Sequence, residues 1–198
     1  MSQNLLSLKK KLVDTMNLLV YRGLTNPKGG NGSFRYNGVI WITPSGLAKH
    51  MLAPTDLVAY DPVSNKVLEG GKPSIELRAH LAIYEKIDSA NSVLHAHLPL
   101  STALTDILGS KHWWEETMIE VEYSIGEVAI AKPAFPGSIE LARNIGEVVD
   151  EDTRVVVVPR HGVFAWGYTI EDALDALIAF EDIAKYYIVK ELFRKELL

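Results

Sequence analysis

Four consecutive valines, Val155 to Val158, constrain this chain more than any other stretch. Successive strand residues point to opposite faces of a sheet. A run that is β-branched at every position therefore reads as a strand buried on both faces, which needs an apolar layer above and below it. Arg154 opens that strand, and Val163 to Trp166 reads as its hairpin partner. Helices supply the covering layers. Leu5, Leu8, Leu12, Met16 and Leu19 recur at helical spacing, with Gly23 suited to the C′ position. A helix is predicted from Pro73-Ser74 to about Lys86, another over Pro99 to Leu108, and a third capped by Ser138 and running through Val149. Thr169 and Asp172 form a capping box that opens a long helix from Ile170.

The remaining strands are short and close together. Phe34 to Tyr36 and Val39 to Ile42 flank Asn37-Gly38, a strong hairpin signal. Leu57 to Tyr60 and Lys66 to Leu68 flank a second turn at residues 61–65, and Ser92 to Ala96 and Val128 to Ala131 complete the set. Turns this short join antiparallel neighbours. The expected fold is α/β: one domain over residues 1–198, with a largely antiparallel central sheet flanked by helices. A dinucleotide or P-loop topology fits poorly, because Gly29-Gly30-Asn31-Gly32 leads into a strand and hairpin rather than from a strand into a helix.

Composition narrows the chemistry. The 198 residues include no cysteine, which removes disulfides, thiolate nucleophiles and Cys-ligated metals, and leaves six histidines for any soft-metal chemistry. Acidic residues outnumber basic ones, 25 to 20, so a nucleic-acid partner is not expected. Lys9, Lys10 and Lys11 interrupt the first apolar stretch, and no apolar run is long enough to span a bilayer. The expected setting is the cytoplasm, with no membrane partner.

Three histidines and one carboxylate stand out. His95 and His97 are two apart on a strand, so both imidazoles share a face and can reach one divalent ion, or are simply polar residues at a strand end. His161 follows the valine strand, where it is either a third ligand on a rigid platform or an exposed turn residue. Three imidazoles with an open position make a catalytic type of zinc site. Glu76 falls in the first turn of its predicted helix, a place that carboxylates also favour through the helix dipole alone. His80 lies one turn further on the same face and reads as a supporting residue, whereas His50 and His112 are expected at the surface.

Five stretches in order resemble the class II aldolase/adducin-like family, in its small sugar-phosphate aldolase branch. They are Gly30-Asn31-Gly32-Ser33-Phe34-Arg35, Ile42-Thr43-Pro44-Ser45-Gly46, Gly71-Lys72-Pro73-Ser74-Ile75-Glu76, His95-Ala96-His97 and His161-Gly162. The resemblance runs from about Leu8 to Val189. It implies a three-layer α-β-α fold. It also implies a divalent metal, usually zinc, on His95, His97 and His161, with Glu76 as general acid/base that can also touch the metal. A phosphate site on Asn31, Ser45, Gly46 and Ser74 and a C4-symmetric homotetramer with sites between subunits are implied as well. The activity implied is reversible cleavage of a ketose 1-phosphate, such as L-fuculose 1-phosphate, to dihydroxyacetone phosphate and an aldehyde.

The residues suit that chemistry. Cleavage beside a ketone leaves enediolate charge, which a metal stabilises in the absence of a Schiff-base lysine. A carboxylate must move the proton at the adjacent carbon, a task helped if a partly buried site raises the Glu76 pKa. Backbone N–H groups and small hydroxyls around Gly29 to Ser33 and Ser45-Gly46 are expected to hold the phosphate in a nest.

The chain also departs from the family. Ile75 stands where a second serine is common, and Lys28 either offsets that lost hydroxyl or is a solvent-facing loop residue. The tyrosine that such aldolases contribute from a neighbouring subunit has no clear counterpart; residues 113–118 are the place to look, and Tyr123 is out of register. The alternatives on the same fold are a sugar-phosphate epimerase, a methylthioribulose-phosphate dehydratase, or a non-catalytic adducin-like binding module. The last has no need of Glu76, His95, His97 and His161 together.

Overall fold

The computed structural model describes residues 3–109, 111–115, 118 and 121–196. Its centre is an eight-stranded sheet in the order β4-β3-β2-β1-β5-β8-β7-β6. The strands are β1 (Asn31–Tyr36), β2 (Val39–Ile42), β3 (Val58–Asp61), β4 (Lys66–Glu69), β5 (Ser92–Ala96), β6 (Glu127–Ile130), β7 (Thr153–Val158) and β8 (Gly162–Gly167). Every neighbouring pair is antiparallel except β6 with β7. The helices are α1 (Gln3–Tyr21), α2 (Leu77–Lys86), α3 (Pro99–Leu108), α4 (Val121–Ile125), α5 (Ile139–Val148) and α6 (Ile170–Glu196).

The valine strand divides the interior in two. Val155 and Val157 pack with Leu12 and Met16 of α1 and Leu177 and Phe180 of α6. Val156 and Val158 pack on the other face with Ala79 and Ile83 of α2 and Leu141 and Ile145 of α5. All four valines are at most 1% exposed, and full burial of such a side chain stabilises a fold by roughly 1.5–3 kcal/mol. The result is the mostly antiparallel sheet between two helical layers that the sequence implied.

Local signals hold where their chemistry is local. Asn37 and Gly38 both have positive φ, 51° and 78°, as their two-residue hairpin demands. Ser138 Oγ accepts the Leu141 N–H at 3.0 Å. Thr169 and Asp172 exchange the two bonds of a capping box, at 2.9 and 3.1 Å.

Four details differ from expectation. Helix α2 starts at Leu77, because the Glu76 N–H is taken by Ser74 Oγ at 3.3 Å in a turn that precedes it. The short helix α4 and the parallel β6–β7 pairing were not anticipated. Lys9, read as a polar interruption, is fully buried, with its amine 3.5 Å above the Trp41 ring and 3.3 Å from Glu69 Oε1. No helix among the described residues is long and apolar enough to cross a membrane.

Candidate metal and phosphate site

The functional side chains converge at one end of the β1–β5–β8 seam. His95 is the fourth residue of β5, buried and paired in register with Asn31 of β1 and Phe164 of β8. His161 ends the tight turn between β7 and β8, where its N–H returns to the Val158 carbonyl at 3.0 Å and Arg160 takes the left-handed conformation. Glu76 occupies the N-cap of α2. Glycine makes the close approach possible: a Cβ at Gly162 would lie 2.8 Å from His95 Cε1, and one at Gly29 would collide with the His97 ring.

Glu76, His95 and His161 offer ligand atoms that all lie within 4.8 Å of one another. Glu76 Oε2 is 3.3 Å from His95 Nε2, and Oε1 is 2.8 Å from His161 Nε2. Oε1 is nevertheless buried without an aligned hydrogen-bond donor. His95 donates its Nδ1–H to the Val163 carbonyl at 3.0 Å. Burial lowers its pKa to about 4, so the ring is neutral at pH 7 and Nε2 presents a lone pair. A buried carboxylate with one oxygen, Oε1, lacking an aligned donor and the other beside such a lone pair is a set that a divalent cation fits, and a second ring nitrogen bonded to a backbone carbonyl is the usual support of a metal-bound histidine. His97 lies just past β5, half-buried, its ring centroid 5.7 Å from that of His95. It stands beside this three-residue group and is not one of its members.

Glu76 is the end of a buried hydrogen-bond chain. Its Oε2 accepts from Asn31 Nδ2 at 2.7 Å. Asn31 Oδ1 is 2.5 Å from His80 Nε2, His80 Nδ1 is 2.7 Å from Ser33 Oγ, and Ser33 Oγ is 2.8 Å from the Tyr84 hydroxyl. The direction of every bond follows from its two ends. A carboxylate only accepts, so the Asn31 amide nitrogen must face it and the amide oxygen must face His80. Burial lowers the His80 pKa to about 3, so the ring is neutral, donates from Nε2 and accepts at Nδ1. Ser33 therefore donates to His80, and Tyr84 donates to Ser33. Four donors in series point at one carboxylate. His80 thus supports Glu76 through Asn31, not by direct contact.

The Glu76 pKa corrects an expectation. Burial pushes it up, but the facing His95 and His161 rings and the Asn31 hydrogen bond pull it down by more, and it falls below the usual carboxylate range rather than rising towards neutrality.

A cavity of about 210 Å³ joins this group to the loops. Lys28, Asn31, Ser45, Gly46 and Ser74 line it together with Glu76, His95, His97 and His161. Part of the backbone nest is pre-empted. The Gly29 N–H goes to Asn26 Oδ1 at 2.6 Å, Gly32 N–H to Thr43 Oγ1 at 3.3 Å, Ser45 N–H to the Lys72 carbonyl at 2.9 Å and Ser74 N–H to the Thr43 carbonyl at 3.0 Å. Lys49, a loop lysine with no motif to mark it, lines the same cavity. A second, wider cavity of about 640 Å³ meets the first at His97, Pro136 and His161, with Pro133, Ala134 and Phe135 along its wall.

The other sequence candidates lie elsewhere. His50 and His112 are exposed, the latter bonded to Glu115 at 2.6 Å. Trp113 and Trp114 are buried against Phe180 in the chain's own core, and residues 116–117 of the segment considered for a cross-subunit tyrosine are outside the described residues. Tyr123 is 89% exposed.

Fold and site together define an α/β protein with a Glu/His/His candidate metal centre beside a polar cavity. The chain belongs to the class II aldolase and adducin N-terminal domain family, whose model matches residues 10–188. It is 32% identical over 181 residues to an L-fuculose phosphate aldolase of Methanococcus maripaludis, covering 88% of this chain and 93% of that one. It is also 32% identical over 197 residues to an L-ribulose-5-phosphate 4-epimerase of Salmonella paratyphi C, covering 90% of this chain and 82% of that one. Among solved structures, an L-fuculose 1-phosphate aldolase superposes with a TM-score of 0.79 at 27% identity, covering 98% of this chain and 89% of the other. The fold of the corresponding aldolase from Thermus thermophilus matches with a TM-score of 0.79 at 23% identity, over 96% and 98% of the two chains.

Proposed function

We propose that this protein is a metal-dependent sugar-phosphate aldolase that reversibly cleaves a ketose 1-phosphate, such as L-fuculose 1-phosphate, to dihydroxyacetone phosphate and an aldehyde. The observation that carries the reading is the buried Glu76 carboxylate held against His95 and His161 on the wall of a cavity with two lysines. His95, His161 and His97 would hold a divalent ion, zinc by its preference for imidazole, with Glu76 within reach of it. When bound, that ion supplies a Lewis acid for the negative charge that develops beside the carbonyl.

The chain's own groups do the rest. Glu76 takes and returns the proton at the carbon next to the carbonyl, with Asn31, itself braced by His80, holding its Oε2 in place. Lys28, Asn31, Ser45, Gly46 and Ser74 hold the phosphate, so that remote binding energy positions the reacting carbon. The wider cavity beside His97 and His161 receives the aldehyde half against Pro133, Ala134 and Phe135. Phe135 is 85% exposed beside the site, and the reading includes a homotetramer in which a neighbouring copy covers it.

The test is exchange of a C3 proton of dihydroxyacetone phosphate in deuterated water by the metal-loaded protein, followed by NMR. Glu76→Gln should slow exchange by roughly 10²–10⁴-fold. Exchange at the wild-type rate in that variant would remove Glu76 from the reaction. A second reading is favoured by the equal 32% identity to the epimerase. Interconversion of L-ribulose 5-phosphate and its epimer, with no condensation of dihydroxyacetone phosphate onto any aldehyde of a panel, would select it.

A further inference from the structure

Lys49 is a buried cation to which the catalytic roles above give no part. It is 3% exposed, it opens the short turn Lys49–Met51, and it lines the same cavity as Glu76, His95 and Ser74. Its amine donates to the Leu47 carbonyl at 2.9 Å, and among the described residues no carboxylate lies within ion-pairing distance of it. Burial of an unpaired ammonium is costly, and burial accordingly lowers its pKa. Its backbone N–H donates to the Pro27 carbonyl at 2.7 Å, which ties it to the loop that carries Lys28.

The rest of the cavity gives that charge a purpose. On the cavity wall Gly29, Ser45 and Ser74 have already committed their N–H groups inside the chain, which leaves those of Gly30 and Gly46, and Ile75 brings no hydroxyl. Among the described residues the one carboxylate on the wall, Glu76, faces His95 and His161. A dianion entering here meets few free backbone donors and two lysines, of which Lys28 is exposed and Lys49 is buried. A charge in a dry site acts far more strongly than the same charge at the surface.

We propose that Lys49 is the principal charge-bearing residue for the substrate's phosphate and sets the preference for phosphorylated over unphosphorylated sugars. The proposal rests on reading the cavity as a sugar-phosphate site. Its amine turns from the Leu47 carbonyl, or shares its protons with it, to donate to a phosphate oxygen. Lys28 adds a weaker, solvent-screened contribution at the surface.

The probe is inorganic phosphate, titrated calorimetrically into metal-loaded protein. Lys49→Met keeps the length of the side chain and removes the charge, and should weaken phosphate binding by about 10- to 100-fold, the range of a charge-assisted hydrogen bond. Lys49→Arg should recover most of the loss, and Lys28→Met should cost less than Lys49→Met. Phosphate binding of wild-type strength in Lys49→Met, with or without a fall in Tm, would show a purely structural lysine and overturn the proposal. A wild-type protein that binds no phosphate would overturn it too. Should Lys49→Met fail to fold, acetic anhydride labelling of the wild-type protein decides the matter: saturating phosphate must slow acetylation of Lys49, and an unchanged rate refutes its role. The two readings fail separately. Proton exchange on dihydroxyacetone phosphate with phosphate affinity indifferent to Lys49 sinks only this one; Lys49-dependent phosphate affinity without exchange sinks only the aldolase.

Discussion

Removal of the Ser33 hydroxyl tests whether the buried chain behind Glu76 really runs in one direction. Ser33 and His80 are fully buried and Tyr84 is 3% exposed, so no water can stand in for a lost partner. In Ser33→Ala the Tyr84 hydroxyl loses its acceptor and His80 Nδ1 loses its donor. Each such group costs about 1–3 kcal/mol, or about 2–6 kcal/mol together. For a chain of this size that corresponds to a Tm lower by about 4–24 °C. Tyr84→Phe alone removes only the first donor of the series, because Ser33 can still donate to His80; its cost is about 1 kcal/mol. The double variant carries the sharper expectation. Once Ser33 is alanine, the tyrosine O–H is a buried donor that has lost its acceptor while its oxygen keeps the Val93 backbone contact, and its removal should relieve that penalty rather than add damage. Ser33→Ala/Tyr84→Phe should therefore be no less stable than Ser33→Ala, in urea unfolding of all four proteins analysed as a cycle. Additive destabilisation would mean that Tyr84 and Ser33 are not in series, and the assigned donor order would fall with it. Loss of the donor to His80 also frees that ring to change tautomer, which lets Asn31 release Glu76, and metal affinity in Ser33→Ala should drop about 10-fold.

Stability should also respond to pH through the buried histidines. An unfolded-chain histidine titrates near 6.5, whereas folding lowers His95 to about 4 and His80 to about 3, with His97 shifted the same way. Between pH 6.5 and 5 the unfolded chain therefore binds more protons, so the metal-free protein should lose stability as pH falls, by up to ~1.4 kcal/mol per pH unit for each fully shifted ring. Urea unfolding at pH 7 and pH 5 measures this, and equal stability at the two would contradict the burial of both rings. Gly162→Ala places a methyl 2.6 Å from the Ala96 carbonyl and 2.8 Å from His95 Cε1. The overpacking should cost about 1–3 kcal/mol and lower zinc stoichiometry, since His95 must move; full zinc content at wild-type stability would show that the ring has room.

What could be read in the sequence was local, or was written in a repeating pattern. The valine run announces two covered faces because each face samples alternate residues of a single strand. Asn37-Gly38, Ser138 and the Thr169–Asp172 pair each complete their hydrogen bonds within four residues. His95 and Glu76 were found because their residue types stand out in ordered motifs. The supporting chain behind them was not legible, since Asn31 meets Glu76 across 45 residues and His80 meets Ser33 across 47. Lys49 was missed for a related reason: a lysine in a loop reads as solvated, and its burial is decided by the packing of its turn on α1. The Glu76 pKa was misjudged because burial was weighed without the two imidazoles that face it.

The place of β8 has a consequence for how the protein is made. β1 and β5 pair early in the chain, but the open edge of β5 is closed only by β8, whose residues begin 66 positions after β5 ends. During synthesis, the strand that carries His95 must wait as an unpaired edge while α3, α5 and β7 emerge. A waiting edge of apolar residues is the kind of surface on which nascent chains aggregate or recruit chaperones. The arrival of β8 then closes the edge and delivers His161 in the same step. Maturation of the site and protection of the sheet thus share one late event, and slow folding should appear as delayed acquisition of metal affinity rather than as delayed secondary structure.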